Sequence, residues 1–191
     1  MAALNVPNTI SMLRIALVPV LLWLAWTHQP SFTYVLAVSL MSDILDGYLA
    51  RRLNQQTRLG AQLDSWGDLL TVLVYVPAAL WLRPAELRHS AAYVGVAALS
   101  YSLPIALGFV KYHRLTSYHT RLMTIAAYAM GIAMVCFFAG WSTIPFRCAC
   151  VLLFIASIEE IMITNALPDW VENVRGYRAA LAFRKGSRFH A

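Results

Sequence analysis

Two short stretches of this chain carry acids at helical spacing. Asp43, Asp46, Gly47, Ala50 and Arg51 stand at i, i+3, i+4, i+7 and i+8, and Gly60, Asp64 and Asp68 at i, i+4 and i+8. Each set occupies one stripe of an α-helix. A short turn separates the stripes, so the two helices are antiparallel neighbours. At about 1.5 Å of rise per residue, Asp46 lies roughly 9 Å from Arg52 at the end of the first helix. Asp64 and Asp68 lie roughly 6 and 12 Å from Gly60 at the start of the second. The four carboxylates are therefore expected to converge at one depth. Carboxylates so crowded repel one another unless a cation sits among them, and oxygen-only ligands select hard ions such as Mg²⁺ or Mn²⁺. Two such ions clamped between carboxylates suit displacement at phosphorus. Gly47 and Ala50 leave space on the same stripe for a bulky ligand, or for a neighbouring helix. Arg51, one turn away, has the planar fork that grips a phosphate.

The elements that must hold these residues are membrane helices. Of 191 residues, 60% are hydrophobic and 13% are charged, whereas soluble domains run near 45–50% apolar and about 25% charged. Disordered, collagen-like and disulfide-knotted classes are excluded, as is an ordinary water-soluble enzyme. Apolar runs predict six spans near 10–26, 32–52, 61–83, 89–110, 121–141 and 145–166. The first lacks the basic flank and the small-residue cleavage site of a signal peptide and reads as a span. The expected organisation is one all-α membrane domain over 1–166 with a polar cytoplasmic tail over 167–191. On the side of the N-terminus lie Arg14, the 51–58 and 111–121 segments and the tail, with twelve of the fifteen basic residues; Arg83, Arg88 and Arg147 lie opposite. That asymmetry puts both termini and the acidic stripes in or at the cytoplasm, in a cell (inner) membrane. The net charge of +6 then fits loops and anionic lipid rather than nucleic acid, for no basic stripe is interleaved with aromatics. Cys136, Cys148 and Cys150 form no C-x-x-C pair and read as small hydrophobes.

With those elements set out, the motif Asp43-x-x-Asp46-Gly47-x-x-Ala50-Arg51, eight residues, then Gly60-x-x-x-Asp64-x-x-x-Asp68 resembles the signature of the CDP-alcohol phosphatidyltransferases. Eight positions agree over 26 residues. The opening Val6-Pro7-Asn8-Thr9-Ile10-Ser11-Met12-Leu13-Arg14 is similar to that of bacterial members that make phosphatidylglycerophosphate or cardiolipin. The resemblance implies six transmembrane helices, a cytoplasm-facing active-site cavity and a homodimer. It also implies a reaction, in which an alcohol attacks the β-phosphorus of CDP-diacylglycerol and CMP leaves. Asp43, Asp46, Asp64 and Asp68 would hold two Mg²⁺ or Mn²⁺ ions. Asp64 and Asp68 would be catalytic, with Asp68 as general base. Asn8, Ser11, Gly47, Ala50, Arg51, Thr57 and Gly60 would border the CDP-lipid.

The acceptor is less constrained. Lys111, Arg114, Arg121 and Glu159 are the candidate acceptor ligands, although the same basic residues also serve as markers of a cytoplasmic loop. Asp64-Ser65-Trp66-Gly67-Asp68-Leu69 lacks the Asp-Pro-x-x-Asp-Lys form of phosphatidylglycerophosphate synthases. Arg14 stands where serine-using members carry asparagine. Glycerol 3-phosphate or another polar or lipid alcohol is expected, with phosphatidylglycerol, serine and inositol phosphate as alternatives. A cation-coupled transporter, the reading from another class, would spread its acids across the membrane depth and repeat its halves. Neither feature is present in the sequence. Glu159 and Glu160, about 100° apart on the last helix, cannot both face one site squarely.

Overall fold

A computed structural model describes residues 5–53, 57–113, 120–167, 176–177 and 179–181. Among them the chain is helical throughout: α1 (Val6–Trp26), α2 (Ser31–Arg52), α3 (Arg58–Leu82), α4 (Pro84–His89), α5 (Ala91–Tyr112), α6 (Arg121–Ala139) and α7 (Ile144–Ala166). The starts are set by local chemistry. The side chains of Asn5, Thr57 and Thr120 accept the backbone amides of Asn8, Gly60 and Met123, which caps α1, α3 and α6. Gly140, at φ 74°, closes α6 in the left-handed conformation that glycine adopts without strain. Pro19, Pro77 and Pro104 lie inside helices, a placement that membrane helices tolerate.

Among the described residues, five stretches are long and apolar enough to cross a membrane: Pro7–Trp26, Ser31–Ala50, Gln62–Leu82, Ala91–Tyr112 and Arg121–Ala139. Their outer faces are greasy; Val110 is 73% and Ile132 68% exposed. Apolar side chains so fully uncovered on successive long helices mark a multi-pass membrane protein. The sixth expected span coincides with α7, which has the length of a span but buries nine of its residues against its neighbours.

The helices gather into two compact units, Met1–Leu87 and Arg88–Ala191. In the first, α1 packs on both α2 and α3. Leu21, Leu24, Ala25, Phe32, Leu36, Val74 and Ala78 form its apolar part, and Trp26 meets Trp81 edge to face at 5.1 Å. In the second, α7 packs on both α5 and α6. Its buried stripe, Phe146, Ala149, Cys150, Leu153, Ala156, Ser157, Glu160, Ile163 and Thr164, repeats at three and four residues, the period of one helix face. The three cysteines differ in environment: Cys150 is buried, Cys136 half-buried and Cys148 exposed, so only Cys150 is a core hydrophobe.

Leu153 is fully buried beside Ala126 and Ala156. Leu153→Ala therefore leaves a cavity in the second unit and is expected to destabilise by about 2–5 kcal/mol. Leu99→Ala removes a side chain that is 61% exposed and should leave the thermal unfolding midpoint of the detergent-solubilised protein close to wild type.

Candidate functional site

The first turns of α1 present three polar side chains at a spacing of three, Asn8, Ser11 and Arg14, and all three are buried. Each meets its own partner in the acidic half of the first unit. Asn8 exchanges long hydrogen bonds of 3.4 Å with the Thr57 hydroxyl, which also caps α3 through the Gly60 amide at 2.9 Å. Ser11 donates to Asp46 Oδ2 at 2.6 Å. Arg14 reaches furthest and pairs with Asp43, with Asp64 at 3.0 Å and with Asp68 at 3.1 Å. Its Nη2 also donates to the Asp64 carbonyl at 3.2 Å.

Two glycines of α3 make these approaches possible. A Cβ on Gly60 would fall 2.6 Å from the Asn8 Oδ1, and one on Gly67 would fall 2.6 Å from both Nε and Nη2 of Arg14. A side chain at either position would displace that polar group of α1. Here the small residue is required by a neighbouring polar side chain rather than by an apolar helix face.

One carboxylate oxygen from each of Asp43, Asp64 and Asp68 lies within 4.8 Å of the other two. The burial is graded across this cluster. The Arg14 side chain is 2% exposed, Asp43 25%, Asp64 50% and Asp68 61%. The guanidinium thus forms a buried floor while the acids keep an open side. One guanidinium against three carboxylates leaves an excess of negative charge at that open side, and an all-oxygen set of this kind fits a hard divalent cation.

Of the four aspartates expected to converge, Asp43, Asp64 and Asp68 form this tight group, and Asp46 lies beside it. Asp46 is buried and bonded to Ser11, outside the group of three. Asp43 and Asp46 are separated by about 60° around α2 and roughly 4.5 Å along it. That offset sends them to different residues of α1. Gly47 and Ala50 are half-buried on the same helix. Arg114 and the side chain of Arg51 lie outside the described residues.

Arg14 was not singled out for the site by the spacing of the acids. The signal was present, because a charge inside an apolar 21-residue helix is costly unless an acid faces it. Removing Arg14 from the loop charges leaves eleven basic residues against three, so the sign of the asymmetry holds.

In the second unit the candidate acceptor ligands separate. Lys111 Nζ donates to the carbonyls of Thr164 at 2.6 Å and Leu167 at 2.8 Å, with Asn165 at 3.4 Å. The Tyr112 hydroxyl lies 2.8 Å from the same Thr164 and Leu167 carbonyls. These are the unpaired acceptors at the end of α7, where a cation is favoured. Lys111, expected to bind an acceptor, is in this structure the clamp that ties α5 to the end of α7. Arg121 stands exposed at the start of α6. Glu159 Oε1 accepts the Tyr177 amide at 3.2 Å, whereas Glu160 is buried on the packing stripe of α7. The two acids do face different surroundings, as their 100° offset requires.

The CDP-alcohol phosphatidyltransferase family profile matches residues 4–167. A CDP-diacylglycerol–glycerol-3-phosphate 3-phosphatidyltransferase of Pseudomonas fluorescens is 42% identical over 76 residues, which cover 37% of this chain and 38% of that protein. A CMP-forming cardiolipin synthase of Streptomyces coelicolor is 42% identical over 87 residues, 41% of this chain and 40% of the other. A protein of Aquifex aeolicus with the same description as the first is 45% identical over 67 residues, 34% of this chain and 37% of its own. The chain therefore spans about two fifths of the length of the relatives it matches. No solved structure matches.

Loss of the clamp has a measurable consequence. Lys111→Met leaves the last carbonyls of α7 with only the Tyr112 hydroxyl and is expected to destabilise by about 1–3 kcal/mol, read as a lower thermal midpoint. Lys111→Arg, which keeps the charge and its donors, should recover part of the loss. A lysine reserved for a ligand would give neither effect.

Proposed function

The chain belongs to the CDP-alcohol phosphatidyltransferase family, and from that premise we propose that it transfers a phosphatidyl group from CDP-diacylglycerol to an alcohol, releasing CMP, in phospholipid synthesis. The observation that carries the reading is the meeting of Asp43, Asp64 and Asp68 within 4.8 Å, open on one side and floored by Arg14. The motif alone would be a pattern of letters; the meeting makes it a set of oxygens able to bind one charge centre. Glycerol 3-phosphate is the first acceptor by this reading, as named for the Pseudomonas fluorescens and Aquifex aeolicus relatives. Phosphatidylglycerol is the second, favoured by the equally similar relative from Streptomyces coelicolor that is named a cardiolipin synthase.

In the mechanism, Asp43, Asp46, Asp64 and Asp68 would hold two divalent ions, Mg²⁺ or Mn²⁺. When bound, such ions neutralise the diphosphate and the departing phosphate. The remaining steps belong to the chain. Asp68 is the most exposed carboxylate of the three, which supports it as the base that takes the proton of the acceptor hydroxyl. The acceptor oxygen forms its bond to the β-phosphorus as the bond from that phosphorus to CMP breaks. Asp64, one turn earlier on α3, orients the same centre. Asn8, Ser11, Gly47, Ala50, Arg51, Thr57 and Gly60 border the nucleotide. Arg114, Arg121 and Glu159 are the acceptor ligands that remain once Lys111 is engaged by α7. In the membrane, α7 is the sixth span, residues 1–166 form the catalytic domain, the acids face the cytoplasm, and the enzyme works as a homodimer.

The reading is tested by incubating purified protein with CDP-diacylglycerol and each of glycerol 3-phosphate, phosphatidylglycerol, serine and inositol phosphate, and identifying the lipid formed. A new phospholipid with stoichiometric CMP is expected from one of the first two. Chelation should stop its formation, and Mg²⁺ or Mn²⁺ should restore it; turnover in excess chelator would refute the metal assignment. Asp68→Asn is expected to lower CMP release by at least about a hundredfold, the lower end for loss of a general base. Binding of CDP-diacylglycerol by that variant should stay within a few fold of wild type, as followed by titration.

A further inference from the structure

The guanidinium of Arg14 uses the same oxygens that a divalent ion would need. Nη1 contacts Oδ1 of Asp43 and of Asp68, and Nη2 contacts Oδ1 of Asp64. These three carboxylates are also the group whose oxygens lie within 4.8 Å of one another. Arg14 is anchored from below by the Asp64 carbonyl, a bond that needs no carboxylate. Its Nε is buried and has no hydrogen-bond partner, so the group is held by charge rather than by a complete hydrogen-bond network. Gly67 is the space that admits it, since a Cβ there would lie within 2.8 Å of three guanidinium atoms.

From these contacts we infer that Arg14 is the resident counter-cation of the acidic cluster, and that it competes with divalent ions for Asp43, Asp64 and Asp68. The inference rests on the reading of these aspartates as metal ligands. In the absence of metal the guanidinium holds three mutually repelling carboxylates together and joins α1 to α2 and α3. When metal enters, the carboxylates turn to the ion and the guanidinium falls back on the Asp64 carbonyl. Metal affinity and the seating of α1 are then one coupled equilibrium, and Arg14 is a positioning residue for the site. Its removal should tighten metal binding while weakening the metal-free protein. A residue that merely built the metal site would have the opposite effect on affinity.

The test uses the full chain in detergent and Mn²⁺ as the probe, with bound ion measured from loss of the free-ion electron paramagnetic resonance signal. Arg14→Gln is expected to bind Mn²⁺ at least about tenfold more tightly than wild type, since a like charge a few ångströms away is gone. In chelator the same variant should melt several degrees lower, and Asp43→Asn added to it should restore part of the loss by relieving repulsion. Gly67→Ala supplies a second route that keeps every charge. By displacing the guanidinium it should also raise Mn²⁺ affinity, so a folding failure of one variant does not decide the matter. Mn²⁺ affinity equal to or weaker than wild type in both variants overturns the competition. Asp64→Asn separates the two levels: if wild type binds Mn²⁺ and this variant does not, the metal reading stands whatever Arg14 does. If no form binds Mn²⁺, both fall.

Discussion

A buried positive charge facing three carboxylates organises the first half of this protein. An arginine inside an apolar helix has no water to solvate it, and its desolvation is offset only by acids brought to it on other helices. Asp43 on α2 and Asp64 and Asp68 on α3 do that. The requirement propagates along α1. Asn8 and Ser11, two steps and one step before Arg14 on the same strip, are buried against Thr57 and Asp46, so the whole strip is polar and matched. Glycines at 60 and 67 let the helices close on it. An arrangement that binds a cation is thus also the arrangement that holds the helices together, and chemistry and packing share one set of contacts.

The second unit is built on a different principle. Its centre is α7, whose buried stripe is mostly small or aliphatic and packs on α5 and α6. Ends, rather than a charged centre, carry its polar chemistry: Lys111 and Tyr112 of α5 satisfy the last carbonyls of α7, and Glu159 receives the Tyr177 amide. Glu160 sits within the stripe. Two adjacent acids thereby have different surroundings because one helical step rotates the side chain by about 100°.

Much of this was legible in the residues. The apolar runs correspond to helices with ends shifted by a few residues, because capping groups such as Asn5 and Thr57 start helices where hydropathy is silent. The acidic stripes were legible because the helical repeat converts spacing into a shared face. Arg14 and Lys111 were assigned other duties by composition. Arg14 reads as a charge of one membrane side though it lies within α1, and Lys111 as an acceptor ligand or a loop marker though backbone carbonyls surround it. A basic residue looks the same in sequence whether its partner is lipid, substrate, carboxylate or a helix end.

The sequence by itself determined the membrane class, the family resemblance and the presence of four aspartates at matching heights on two helices. Spacing along one helix sets face and height, and both are local. Tertiary structure decided that Asp43, Asp64 and Asp68 meet while Asp46 turns to Ser11, and that the cation already among them is Arg14. Those outcomes depend on how helices are rotated against one another. That rotation is set by side chains on three separate segments and by where glycine allows close approach, which no single segment encodes.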